Sequence, residues 1–245
     1  MPGIVGFTRE GAVGAGETSR RAIERMQAAL NHLPSHVDGE LFIDESISAT
    51  GTMHFPKNWT ASNRDSSQNG VEIWLNGEFH NTRELVQQYE LDGDPDRADA
   101  AVLAELYRRH PKFGFLADMD GIFSAVVYDS GRNQLFLVSS RHGFSPLFWS
   151  RQGDTLIWSS EVKAFLEHPE FEPVIRESSI EHFFNYGHML GNETWFEDVH
   201  MLPSASVLQW DLESKDVESW NYWSWDTVTP FSDSVADRDL VDEMG

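Results

Sequence analysis

The chain contains no cysteine, so disulfides, thiolate metal sites and a cysteine nucleophile are all excluded. Basic residues are few: 18 Lys and Arg face 40 Asp and Glu, a net charge of -22. The lysines are Lys57, Lys112, Lys163 and Lys215, and no basic patch gathers anywhere. Nucleic acid and anionic membranes are therefore not expected as partners. No apolar run approaches the roughly 18 residues that a membrane helix requires. No basic-plus-apolar leader precedes the first strand, which gives a cytoplasmic location as the expectation. The acids are spread along the chain; adaptation to high salt and a merely acidic surface both remain open. There is no internal repeat.

What is present is enough apolar residue, 40% of 245, for one large domain with a generous core. The run Gly3-Ile4-Val5-Gly6-Phe7 reads as a buried N-terminal strand. Thr18 or Ser19 is placed to cap a helix carrying Ala22, Ile23, Met26, Ala29 and Leu30 at helical spacing. Residues 40–43 and 47–55 read as short strands, and 58–70 as a polar loop. Val71 to Leu75 is a strand ending at Asn76-Gly77, followed by helices over 82–89 and 99–109, the latter with Asp99 at its positive end. Residues 122–128 and 134–139 form a hairpin about the turn 129–132. After the turn 141–146, Leu147-Phe148-Trp149 resumes the strand and 155–159 adds another. Helices are expected around 162–167 and 178–186, and final strands over 205–210 and the Trp-rich 220–225. Together these elements predict an α+β domain in which two antiparallel sheets stack under helical layers.

Several residue groups have ordinary explanations. His32 and His36 have only Asp38 nearby as a third donor, so no metal is expected. Asp118 and Asp120 stand before a strand and suit turn capping. Arg141 reads as holding its turn. The nine tryptophans fit aromatic strands in a sheet core. Asn58-Trp59-Thr60 and Asn192-Glu193-Thr194 match the glycosylation pattern but lack a secretion signal beside them.

A series of motifs is more specific. Gly3 to Phe7 is followed by Leu75-Asn76-Gly77-Glu78-Phe79-His80-Asn81, then Asp118-Met119-Asp120-Gly121-Ile122-Phe123 and Arg141-His142-Gly143-Phe144-Ser145-Pro146-Leu147-Phe148. Ser160-Glu161-Val162-Lys163-Ala164, Trp195 to Val199 and Leu202-Pro203 complete it. In order and spacing the series resembles the N-terminal glutamine amidotransferase domain of the asparagine synthetase family, over about residues 1–225. Residues 226–245 read as a linker or the truncated start of an absent synthetase domain. The resemblance implies an N-terminal-nucleophile (Ntn) hydrolase fold, a four-layer αββα sandwich of two antiparallel sheets between helical layers.

In active members, the resemblance implies, a cysteine at position 2 attacks the glutamine amide and its own α-amine serves as base. Asn76 and Gly77 would supply the oxyanion hole. Asp99 would hold the α-amino group of glutamine, with Glu78 beside it, and an arginine near residues 52–54 would bind the carboxylate. Here Pro2 stands at the nucleophile position, and Thr52, Met53 and His54 supply no arginine. β-Lactam synthetases and lasso-peptide cyclases, in the same family, likewise keep a domain that has lost its nucleophile.

The expectation is therefore a glutaminase-inactive domain with a structural or regulatory role beside an ATP-dependent amide-forming synthetase domain or subunit. Two other readings stay open: a working amidotransferase, and an amino-acid-binding module supplying asparagine synthesis. No cofactor is expected in this chain, since the pyrophosphate loop of such synthetases appears nowhere in it. ATP and Mg belong to the partner. A homodimer is a further expectation.

Overall fold

The computed structural model describes residues 3–9, 16–54, 64–66, 70–94 and 98–228. Pro2, the Asn58 acceptor pattern, most of the polar stretch 58–70 and the acidic stretch after Val228 lie outside the described residues.

Two antiparallel sheets carry the fold. In the first, β1 (Gly3–Thr8) lies between β10 (Thr155–Ser159) and β4 (Ile47–His54). Beyond β10 come β9 (Phe148–Gln152) and β11 (His200–Met201), while β2 (His36–Asp38) and β3 (Phe42–Ile43) both pair with β4. The second sheet runs β13 (Val217–Asn221), β12 (Ser206–Asp211), β8 (Gln134–Ser139), β7 (Gly121–Asp129), β6 (Val71–Phe79), β5 (Arg64–Ser66).

The period-2 alternation of side chains distributes three cores. Ile4, Trp158, Trp74, Val126 and Trp210 meet between the sheets. Val5, Phe7 and Ile157 point the other way, onto Ile23, Met26 and Leu30 of α1 (Gly16–Leu30) and Phe165 of the 3-10 turn Val162–Glu167. Val71, Ile73, Leu75 and Val127 of the second sheet face Leu85 of α2 (Thr82–Gln88) and Val102, Leu103, Leu106 and Tyr107 of α3 (Asp99–Arg109). Helix, sheet, sheet, helix is the expected α+β layering. Gln27 pins α1 to the first sheet, its Nε2 donating to Thr50 Oγ1 at 2.7 Å and to the Gly51 carbonyl at 3.0 Å.

The differences from the sequence reading have local causes. Thr18 and Ser19 lie inside α1, which is already helical at Gly16, so neither is the cap. Arg64–Ser66 forms an edge strand within the stretch read as loop. β6 does not stop at Asn76; it runs to Phe79, because β7 pairs every residue of it. Leu147 to Trp149 does not resume β8. It crosses to the first sheet, where Phe148 pairs with Ser159. Residues 162–167 close as a 3-10 turn, and the last strand is Val217–Asn221, with Trp225 in a 3-10 turn beyond it. α4 (Glu177–Tyr186) begins one residue earlier than read.

Candidate functional site

Three of the motifs, Asn76 to Asn81, Asp118 to Phe123 and the turn holding Ser145, meet where β6 pairs with β7. Asn76 shares the inward face of β6 with Trp74, and its side chain is buried between the sheets. Its Nδ2 donates to Ser145 Oγ at 2.9 Å, and Ser145 Oγ donates back to the Asn76 carbonyl at 3.2 Å. Ser124, cross-strand from Asn76, brings its hydroxyl to 3.3 Å from that of Ser145. A closed amide–hydroxyl group of this kind satisfies polar atoms that burial would otherwise leave costly. The sequence reading missed both serines. Ser145 was in view within the Arg141–Phe148 turn, and Ser124 is a polar residue on the inward face of an apolar strand.

Gly77 has φ +117, and a Cβ there would stand 2.0 Å from the Ile122 carbonyl oxygen and 2.7 Å from Phe123 Cα. Only glycine permits this approach of the β6 and β7 backbones. Glu78, next along, is exposed, its carboxylate 4.0 Å from His80 Nε2.

Asp99 opens α3 and reaches back to the end of β6. Its Oδ2 accepts from the Phe79 N–H at 2.8 Å and its Oδ1 from the Thr82 hydroxyl at 2.7 Å. One carboxylate thus ties a strand end, a helix start and a second helix together. Asn81 braces the same corner, donating to the Asp118 carbonyl and accepting from the Asp120 N–H, both at 2.9 Å. Asp118 accepts from Gln88 and from the Tyr89 hydroxyl. Burial first, then Asp118, pushes that hydroxyl up to about 12. These contacts fit the turn-capping role of the Asp118–Asp120 stretch.

Across the sandwich, the start of β1 is gripped by hydroxyls. The Gly3 N–H donates to Thr52 Oγ1 at 3.1 Å, and the Ile4 N–H to Ser160 Oγ at 2.9 Å. Thr52, fully buried, is thus engaged with the N-terminal strand. The side chains of Met53 and His54 lie outside the described residues. Ile4 and Trp74 belong to one core, which sets β1 opposite β6. Arg141 leaves its own turn, donating to the Ala117 carbonyl at 2.7 Å with its guanidinium over the Trp223 ring. His32 and His36 pack edge to face after α1 has ended. Among the described residues no group of three His, Cys, Asp or Glu is arranged to hold a metal ion.

Comparison with known proteins agrees with these motifs. A family profile described as a glutamine amidotransferase domain matches residues 1–223. Asparagine synthetase [glutamine-hydrolyzing] 2 of Bacillus subtilis is 27% identical over 167 residues, 66% of this chain and 22% of that protein. The putative asparagine synthetase 2 of Methanocaldococcus jannaschii is 24% identical over 177 residues, 71% of this chain and 33% of that protein. This chain therefore spans a third or less of the length of these relatives. Among solved structures, the glutamine phosphoribosylpyrophosphate amidotransferase of B. subtilis superposes with a TM-score of 0.56 at 15% identity, over 90% of this chain and 49% of that one. A structure described as the allosteric regulatory enzyme of purine biosynthesis gives 0.59 at 16% identity, with the same coverage. At such identities the likeness is one of fold.

Proposed function

Because the chain belongs to the family of glutamine amidotransferase domains, we propose that it is a member that no longer hydrolyses glutamine and serves an ATP-dependent amide-forming synthetase as a structural or regulatory partner. The observation that carries this reading is Pro2 at the family's nucleophile position, in a chain with no cysteine at all. Thioester formation needs a thiolate, and removal of a nucleophile costs several orders of magnitude in rate. Residues 52–54 add a second deficit, with no guanidinium to bind the substrate carboxylate.

The synthetase partner is supported by the relatives' names and by the share of their length that this chain spans. ATP and Mg would be bound by that partner, and a cytoplasmic location accords with the reading. No helix among the described residues is long and apolar enough to cross a membrane.

The test is direct. Glutamate and ammonia are measured after incubation of the purified chain with glutamine, and no release above buffer is expected. Release at the rate of an active asparagine synthetase would overturn the proposal. Pro2→Cys alone is expected to stay inactive, since the carboxylate clamp is still missing. A second reading, an amino-acid-binding module, is favoured by the retention of Asn76, Gly77, Glu78 and Asp99. Calorimetry with glutamine, glutamate and asparagine checks it, and absence of heat with all three rejects it.

A further inference from the structure

α4 is built like a core helix and is not used as one. Ile180, Phe183 and Phe184 recur at i, i+3 and i+4, the spacing by which Ile23, Met26 and Gln27 of α1 enter the protein. In α4 the only buried residue is Ser179. Ile180 is 40% exposed, Phe183 43%, Phe184 82% and Tyr186 59%, and the following loop adds Leu190 at 40% and Trp195 at 38%. Phe183 packs tilted against Trp195 with ring centroids 5.2 Å apart and edge-on against Phe184 at 6.0 Å, and Ile180 lies one turn before Phe184, so these four side chains form one surface.

What holds the helix down is polar. Ser179 Oγ donates to the Thr194 carbonyl at 2.7 Å, Ser178 Oγ to Glu193, and His182 stands 3.3 Å from the Glu193 carboxylate. Gly187, with φ +77, ends the helix by donating to the Phe183 carbonyl. A helix this short is marginal in water without an apolar face against something. The exposed part of Ile180, Phe183, Phe184 and Trp195 amounts to roughly 400 Å², the apolar centre of an interface of about 800 Å² per partner.

We propose that this α4 face is the docking surface for the amide-forming synthetase domain or subunit; the inference rests on the partnership proposed above. The matched relatives have most of their length beyond the region this chain covers, and that remainder needs a surface to sit on. A second copy is opposed by its own net charge of -22. The rim of the face carries Glu177, Glu181 and Glu193 against Arg176, so the complementary partner has an apolar patch bordered by basic residues.

The experiment is hydrogen exchange on the 245-residue chain, alone and together with the synthetase of the same organism, either mixed as a subunit or joined as one polypeptide. Slowed exchange of the amides 180–187 in the complex is expected. The variant Phe184→Glu, at a position 82% exposed, is expected to weaken association tenfold or more. A complex that leaves α4 exchange unchanged and binds the variant as well as the wild type overturns this surface and leaves the partnership standing. Absence of any complex overturns both. Protection of α4 that rises with protein concentration in the absence of synthetase identifies a second copy as the occupant and overturns the proposal.

Discussion

Gly77→Ala separates a residue kept for chemistry from one kept for the backbone. The new Cβ would meet the Ile122 carbonyl oxygen at 2.0 Å, Phe123 Cα at 2.7 Å and the Ile122 carbonyl carbon at 2.9 Å, all main-chain atoms of the neighbouring strand. None can rotate away, so β6 and β7 must part or the residue must leave φ +117. Backbone strain of this sort costs about 1–3 kcal/mol, and forcing atoms into a packed site costs about 1–3 kcal/mol more. Together, a loss of about 2–6 kcal/mol corresponds to a melting midpoint lower by about 4–24 °C in a domain of this size. Circular dichroism melting of Gly77→Ala beside Gly114→Ala measures it. A Cβ at Gly114 meets nothing within 4 Å and its φ is ordinary, so the control is expected to melt near the wild type. A Gly77→Ala midpoint within about 2 °C of wild type would refute the steric argument.

Burial pushes the His168 imidazole down to about 4, with Glu170 opposing, and the ring packs edge-on against Phe7 at 4.5 Å. Below its ordinary value of 6.5 the unfolded chain takes up a proton that the folded chain refuses. Stability therefore falls by about 1.4 kcal/mol per pH unit as pH drops, roughly 3 kcal/mol in all before the folded ring titrates. Urea midpoints of wild type and His168→Phe between about pH 7 and pH 4.5 test this, and parallel curves would refute it. Asp99→Ala strips the Phe79 N–H and the Thr82 hydroxyl of their acceptor and is expected to cost about 2–3 kcal/mol in urea unfolding; an unchanged midpoint would show that the corner holds without it. Ser145→Ala leaves the buried Asn76 amide without its acceptor, an expected loss of about 1–2 kcal/mol. A double-mutant cycle with Asn76→Ala that shows coupling below about 0.5 kcal/mol would show that the pair does not interact.

Where period and burial coincide, the elements were legible in the sequence. The hairpin 122–139, the helix 99–109 and the buried N-terminal strand follow from alternation and helical spacing alone, and each is present. The family resemblance assigned Asn76, Gly77 and Asp99 to one glutamine site; in the structure Asp99 bonds to Phe79, two residues beyond Gly77. What escaped depends on distant pairing. An Asn-Gly pair ordinarily turns a hairpin, yet here β7 extends beside it and carries β6 two residues further. The crossing of Leu147 to Trp149 into the other sheet and the edge strand at Arg64 are set by partners that local sequence does not announce. Thr18 resembles a cap until the chain before it continues the helix. Ser124 and Ser145, twenty-one residues apart in sequence, become neighbours only through the fold.

The corner at Asn76, Gly77 and Asp99 is made of joints. The asparagine ties to a loop through Ser145, the glycine lets two strands touch, and the aspartate fastens a strand to two helices. Substitution at any of these places damages the frame before it affects any reaction. These three positions therefore answer to masonry as well as to chemistry, and a motif match at them reports the frame without reporting a reaction.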